Sequence, residues 1–232
     1  MRFVGLIPAR GGSKGIPRKN IADYAGKPLL AWTCEAALGS KRLARTLLST
    51  DSEEIAAAGR ACGVEAPFLR PAALAADDSS SFDVMAHALG WLDAAGDRAD
   101  ALVLLQPTSP LRTARHIDEA IERFVAHKAD CVVSVTEVPH RFHPLSVMRE
   151  EGGQLVPFQG SQTVTRRQDL PPLWARNGPA VLIVSAAMLR RNTIYGGITV
   201  GYPMSVRDSL DVDSPYELEL AAQLLAHGPP ER

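Results

Sequence analysis

Short apolar runs and longer amphipathic stretches take turns along this chain. Phe3-Val4-Gly5-Leu6-Ile7 opens it as a strand. Gly26-Lys27-Pro28 introduces a helix over residues 29–38, with Pro28 in the first position, where its missing N–H costs nothing. Thr46-Leu47-Leu48-Ser49 reads as a short strand. Asp51 or Ser52 can cap a helix from Glu53 to Cys62 that stops at Gly63. The serines at 79–81 can cap the next helix, over 82–95. Ala101-Leu102-Val103-Leu104-Leu105 is wholly apolar, as expected of a central strand buried on both faces. A helix over 114–126 and the strand Cys131-Val132-Val133-Ser134-Val135 follow. This alternation predicts an α/β fold, a mainly parallel open sheet with helices on both faces.

The rhythm breaks between Pro139 and Asn177. Prolines and glycines there are mixed with Phe142, Leu145, Val147, Met148, Leu155, Val156, Phe158, Leu173 and Trp174. A solvated linker would not carry so many apolar side chains. The segment reads as an arm that buries them against a second subunit, with a long loop folded onto its own domain as the alternative. The core resumes at Ala180-Val181-Leu182-Ile183-Val184 and continues in the strand Ile198-Thr199-Val200-Gly201-Tyr202. The last helix starts at Ser214-Pro215-Tyr216-Glu217, where Ser214 and Glu217 form a capping box. The expected organisation is one domain over 1–232 with an arm at 139–177.

Composition narrows this picture. The chain has 232 residues, 46% of them hydrophobic, enough for one large core. A formal net charge of -1 argues against a nucleic-acid or membrane binder, which needs a strongly basic face. No run is long and apolar enough to span a bilayer. The cysteines Cys34, Cys62 and Cys131 are odd in number and set among apolar residues. They read as reduced core residues of a cytoplasmic protein.

Three loops fall at the carboxyl ends of predicted strands, where open α/β sheets bind ligands. The first is Ile7-Pro8-Ala9-Arg10-Gly11-Gly12-Ser13-Lys14-Gly15-Ile16-Pro17-Arg18-Lys19-Asn20. Its glycines let backbone N–H groups approach phosphates and its cations hold the charge; an ordinary basic turn is the plainer alternative. The second is Gln106-Pro107-Thr108-Ser109-Pro110-Leu111-Arg112, whose polar groups would sit at the mouth of the sheet. The third is Asp211-Val212-Asp213. Carboxylates at i and i+2 on an extended segment point the same way, and a divalent cation with phosphate oxygens would relieve their repulsion. Acid before a helix N-terminus is the competing explanation. Together the loops suggest nucleotide chemistry with Mg²⁺.

These motifs, with GKPLLAW, STDSEEIA, PFLRPAALAADDSSS, LLQPTSPLR, VVSVTEV, RRQDLP, RNG and DVDSPYELELA, resemble the acylneuraminate cytidylyltransferase family along almost the whole chain. The resemblance implies a Rossmann-like nucleotidyltransferase fold. It implies transfer of CMP from CTP to a sugar-acid hydroxyl, with Mg²⁺ and release of pyrophosphate. Ala9, Arg10, Gly11, Ser13, Lys14, Lys19, Asn20, Arg70 and Ser81 match positions that hold the nucleotide. Gln106, Arg166, Arg167, Arg176 and Asn177 fall on the acceptor side. Asp211 and Asp213 match the metal-binding aspartates, and Arg10, Lys19 and Asp211 carry the expected catalysis. The arm would cross to the partner of a homodimer.

The acceptor side departs from the family pattern. Where the sialic acid enzymes typically read Arg-Pro-Asn-Gly-Ala-Ile-Tyr, this chain reads Ala175-Arg176-Asn177-Gly178-Pro179-Ala180-Val181. The guanidinium is displaced by one residue and the tyrosine is lost. The expected acceptor is therefore a sialic acid or related nonulosonic acid, with a smaller acid such as a phosphonate as the alternative. His143, on the arm, could approach the acceptor. A non-catalytic nucleotide-binding protein, and a transferase using another nucleotide, are the rival readings.

Overall fold

The computed structural model describes residues 1–12, 15–159, 166 and 170–226. Strand β1 (Phe3–Pro8) leads through the cation-rich loop to a small hairpin, β2 (Asp23–Tyr24) and β3 (Lys27–Pro28). There follow α1 (Leu29–Leu38), β4 (Leu43–Ser49), α2 (Glu53–Ala61), α3 (Ser81–Ala94), β5 (Ala101–Leu104), α4 (Ala114–Ala126) and β6 (Cys131–Glu137). Beyond them lie the hairpin β7 (Met148–Glu151) and β8 (Gln154–Pro157), then β9 (Trp174–Arg176), β10 (Leu182–Ser185), α5 (Ala186–Arg190), β11 (Thr199–Pro203) and α6 (Pro215–Ala226).

The caps explain the helix starts. Ser52 accepts from the Ile55 N–H at 3.4 Å. Ser80 and Asp83 form a reciprocal capping box at α3, and Ser214 and Glu217 form another at α6. Pro28 stands one place earlier than expected, at the N-cap of α1, with an extended ψ of 141°.

The main sheet has seven strands, ordered β11-β6-β10-β5-β1-β4, with β9 also paired to β6. β1, β4, β5, β6 and β11 share one direction, and β10 and β9 run against them. The sheet is thus mainly parallel, as the alternation predicts. The apolar run at 180–184 nevertheless enters antiparallel, because β9 and β10 pass along the same side of β6 with no crossover helix between them.

Alternate residues feed two cores. Phe3, Ile7, Val103 and Ile183 face α1, α2 and α4. Val4, Leu6, Leu102, Leu104, Leu182 and Val184 face α3 and α5. β5 is fully buried along its length. A third cluster places Val212 with Tyr24, Leu29 and Ala221, which ties α6 and the acidic loop to the opening segment. Each such buried aliphatic side chain contributes roughly 1.5–3 kcal/mol.

The segment expected to form an arm is built differently from the core. The β7–β8 hairpin is exposed on almost every residue, including Met148 and Leu155. Its C-terminal end does not stay apart, for β9 joins the main sheet.

Candidate active site

The carboxyl ends of β1 and β5 open into a cavity of about 410 Å³. Arg10, Lys19, Arg70, Ser81, Gln106 and Asp213 line it. The loops after the neighbouring strands β1 and β5 meet as the strand order requires. The acidic loop, which follows the edge strand β11, is brought to them by Val212 packing against Tyr24 and Leu29. Arg10 pairs with Asp77 at 2.8 Å. Lys19, mostly buried, donates from Nζ to the Val212 carbonyl at 2.8 Å and to Asp213 Oδ1 at 3.1 Å. The opening loop is thereby fastened to the acidic loop. Gly15 completes the junction: a Cβ there would stand 2.5 Å from the Asp213 carbonyl oxygen, so only glycine permits the approach.

Several of the other expected nucleotide-binding residues make contacts within the protein. The Ala9 N–H donates to the Ser49 carbonyl at 2.9 Å and the Gly11 N–H to Asp51 Oδ1 at 2.8 Å. Both amides are engaged within the protein. Asn20 is buried, and its Nδ2 holds the Arg10 carbonyl at 3.0 Å while its side chain borders the cavity. Arg70 is buried with its Nε unpartnered. Desolvation pulls its pKa below the ordinary value and Arg10 adds to this, while Asp51 opposes it. Ser13 and Lys14 lie outside the described residues.

Asp211 sits behind the rim. Its Oδ1 is buried without a partner. Burial is the main reason its pKa is raised; Asp213 and Glu217 raise it further, and Thr108 and Lys19 pull it down. Asp213 is exposed at the rim. Gly178, at φ +118°, lies so near that an added Cβ would be 3.3 Å from Asp211 Oδ2. Gly178→Ala should therefore cost about 1–3 kcal/mol through backbone strain and displace Asp211. A thermal melt unchanged from the parent protein would refute that account.

Of the acceptor-side residues, Gln106 lines this cavity, whereas Arg176 and Asn177 do not. Arg176 projects from β9 and its guanidinium lies 5.0 Å from the Tyr195 ring centroid. Asn177 is buried; its amide accepts from Ser134 Oγ at 2.6 Å and donates to Ser209 Oγ at 2.8 Å. That side chain braces the segment joining β9 to β10. Arg166 is exposed, and Arg167 lies outside the described residues. His143 is buried in a turn, with Nδ1 accepting from the Leu145 N–H at 3.2 Å. It borders a separate cavity of about 370 Å³ with His140 and Glu137.

Sequence reasoning missed Arg112, which appears there only as the end of a loop. It is buried, and its Nη1 donates at 3.0 Å to the carbonyls of both Gln106 and Ala180. It also gave no site role to Leu74, Ala75, Ala76, Asp77 and Ser79, which line the cavity and lie within the PFLRPAALAADDSSS motif between Arg70 and Ser81.

A mainly parallel α/β sheet with a cationic cavity and paired aspartates at its carboxyl edge defines the architecture of nucleotide-binding α/β proteins. The chain belongs to the cytidylyltransferase family, whose profile, described as "Cytidylyltransferase", matches residues 4–224. It is 36% identical over 217 residues to an N-acylneuraminate cytidylyltransferase of Streptococcus agalactiae, covering 92% of this chain and 51% of that one. It thus spans about half the length of that relative. It is 31% identical over 221 residues to a pseudaminic acid cytidylyltransferase of Campylobacter jejuni, covering 95% of both. Among solved structures, CMP:2-keto-3-deoxy-manno-octonic acid synthetase complexed with CTP shares the fold, with a TM-score of 0.75, 17% identity and coverage of 98% and 99%.

Proposed function

We propose that this protein transfers CMP from CTP to a hydroxyl of an acidic sugar, a nonulosonic acid, and releases pyrophosphate. The observation that carries this reading is the convergence of Arg10, Lys19, Gln106 and Asp213 on one cavity, in a chain of the cytidylyltransferase family. The acceptor oxygen attacks the α-phosphorus in line. A new P–O bond forms, the bond to the β-phosphate oxygen breaks, and the hydroxyl proton leaves to solvent. Lys19 and Arg10 offset the charge gathering on the departing pyrophosphate. Arg70 and Ser81 hold the nucleoside end, with Ser13 and Lys14 as further nucleotide contacts. Gln106 orients the acceptor, and Arg166, Arg167 and Arg176 are the cations available to its carboxylate.

Asp211 and Asp213 would hold Mg²⁺. The unpartnered, buried Oδ1 of Asp211 fits that role as a hard oxygen ligand. Among the described residues no group of three or more His, Cys, Asp or Glu side chains could enclose a metal, so phosphate oxygens would complete the shell. When bound, the ion supplies charge neutralisation on the phosphates. Until then Lys19 occupies Asp213 and holds the acidic loop in place.

The arm at 139–177 would serve a homodimer. Leu155 is 70% exposed and Phe158 57%, which is unusual for an ordered hairpin facing only water. Replacing Leu155 with aspartate should shift the protein from dimer to monomer in sedimentation velocity. A parent protein that already sediments as a monomer would end that assignment. Among the described residues no helix is long and apolar enough to cross a membrane.

Pyrophosphate release measured with CTP, UTP, ATP and GTP against sialic, legionaminic and pseudaminic acids and a phosphonate tests the reading. The expected result is CTP-specific release that depends on a nonulosonic acid. No CTP-dependent release with any acid overturns it.

A further inference from the structure

A second cavity, of about 800 Å³, shares no wall residue with the first. It lies between α1, the start of α4 and the loop around Arg207 and Asp208. Arg112 forms part of its wall. This side chain is 2% exposed, and its Nε and Nη2 have no partner. No carboxylate pairs with it among the described residues. Burial pulls its pKa down to about 9, which still leaves a cation at neutral pH. A buried charge without a counter-ion is costly, and the cavity beside it is where a counter-ion can enter.

The surroundings favour the same occupant. Ala114, Arg115 and His116, the first turn of α4, contribute to the wall, and the N-terminus of that 13-residue helix adds positive potential. Arg115 is 63% exposed at the rim, where Glu119 is its partner at 3.0 Å. The wall's own carboxylates are already engaged: Glu35 by Lys27, and Asp208 by Arg207 at 3.2 Å and the Ser205 hydroxyl at 2.8 Å. Trp32, Leu111 and Leu225 give the remaining wall an apolar surface.

We propose that this cavity is a second binding site, which takes a small organic anion. A phosphate or carboxylate head meets Arg112, Arg115 and the start of α4, and an apolar body lies against Trp32 and Leu225. Arg112 also holds the carbonyl of Gln106, so the occupant's charge sits one hydrogen bond away from a wall residue of the first cavity.

Calorimetric titration with phenyl phosphate, benzoate and phenol tests the site. All three carry the same ring, and they differ in head group. Lys19→Ala serves as the background, because Lys19 lines the first cavity and not the second. Saturable one-to-one binding of at least one anion is expected, unaffected by Lys19→Ala and weakened at least tenfold by Arg115→Glu. The tighter of the two anions identifies the head group. Arg112→Gln should abolish binding, but that side chain also braces two loops, so Arg115→Glu, at an exposed position, is the deciding variant. The proposal fails if neither anion binds saturably or if phenol binds as tightly as both. It fails equally if Arg115→Glu leaves the affinity unchanged, or if Lys19→Ala removes the binding.

Discussion

Lys19→Met should lower CTP-dependent pyrophosphate release by about 10²–10³-fold in kcat/KM, the range seen when one charge-stabilising donor is removed. The methionine keeps the apolar stem in its mostly buried channel and removes only the ammonium. That ammonium makes two contacts, with the Val212 carbonyl and with Asp213. Asp213 is 72% exposed, so the ion pair itself contributes ~0–1 kcal/mol to stability. The melting temperature should therefore move by only a few degrees while turnover collapses. The opposite pattern, a large loss of stability with less than a fivefold loss of rate, would make Lys19 a loop fastener without catalytic weight.

The strands and helix starts were legible because local signals and tertiary packing agree. Val4 and Leu6 alternate with Phe3 and Ile7 and enter opposite cores, and Ser52, Ser80 and Ser214 stand where caps belong. The meeting of the first two loops followed from placing each after a strand, whereas the acidic loop follows the edge strand β11 and reaches them only through the packing of Val212 against Tyr24 and Leu29. The direction of β10 was not legible, because an apolar run encodes burial and not orientation. The β7–β8 hairpin carried a signal in Gly152-Gly153, both at positive φ, a two-residue turn that favours glycine. Its strands face solvent and show no buried stripe, so no strand pattern stood out. Asn177 and Arg112 were harder. A polar residue in a loop motif reads as a ligand contact, and only the fold reveals that Ser134 and Ser209 take the first and two carbonyls the second. On the acceptor side, the shifted arginine has become Arg176 beside Tyr195, and Val181, where the family has tyrosine, is fully buried.

Replacing Asp211 should separate activity from stability, with opposite signs. Asp211→Ala is expected to abolish turnover, since the orphaned Oδ1 is the protein oxygen best suited to Mg²⁺. The isosteric Asp211→Asn should be similarly inactive yet more heat-stable than the parent protein at neutral pH without metal. Burial raises the Asp211 pKa first, and Asp213 and Glu217 add repulsion. A carboxyl whose folded pKa lies above its unfolded value binds its proton more tightly in the folded state. Its contribution to stability is then most favourable in acid, declines as pH rises from the ordinary value of 3.8 through the raised folded value, and stays unfavourable above it. Asparagine removes that burden. Each ~1 kcal/mol relieved should raise the melting temperature by about 2–4 °C in a chain of this size, and the gain should vanish below the ordinary carboxyl range. Mg²⁺ with CTP should stabilise the parent protein and leave Asp211→Asn nearly unmoved. An Asp211→Asn protein that melts lower than the parent at neutral pH would show that Asp211 is a structural hydrogen-bonding residue. Retained turnover in Asp211→Ala would remove it from the metal site.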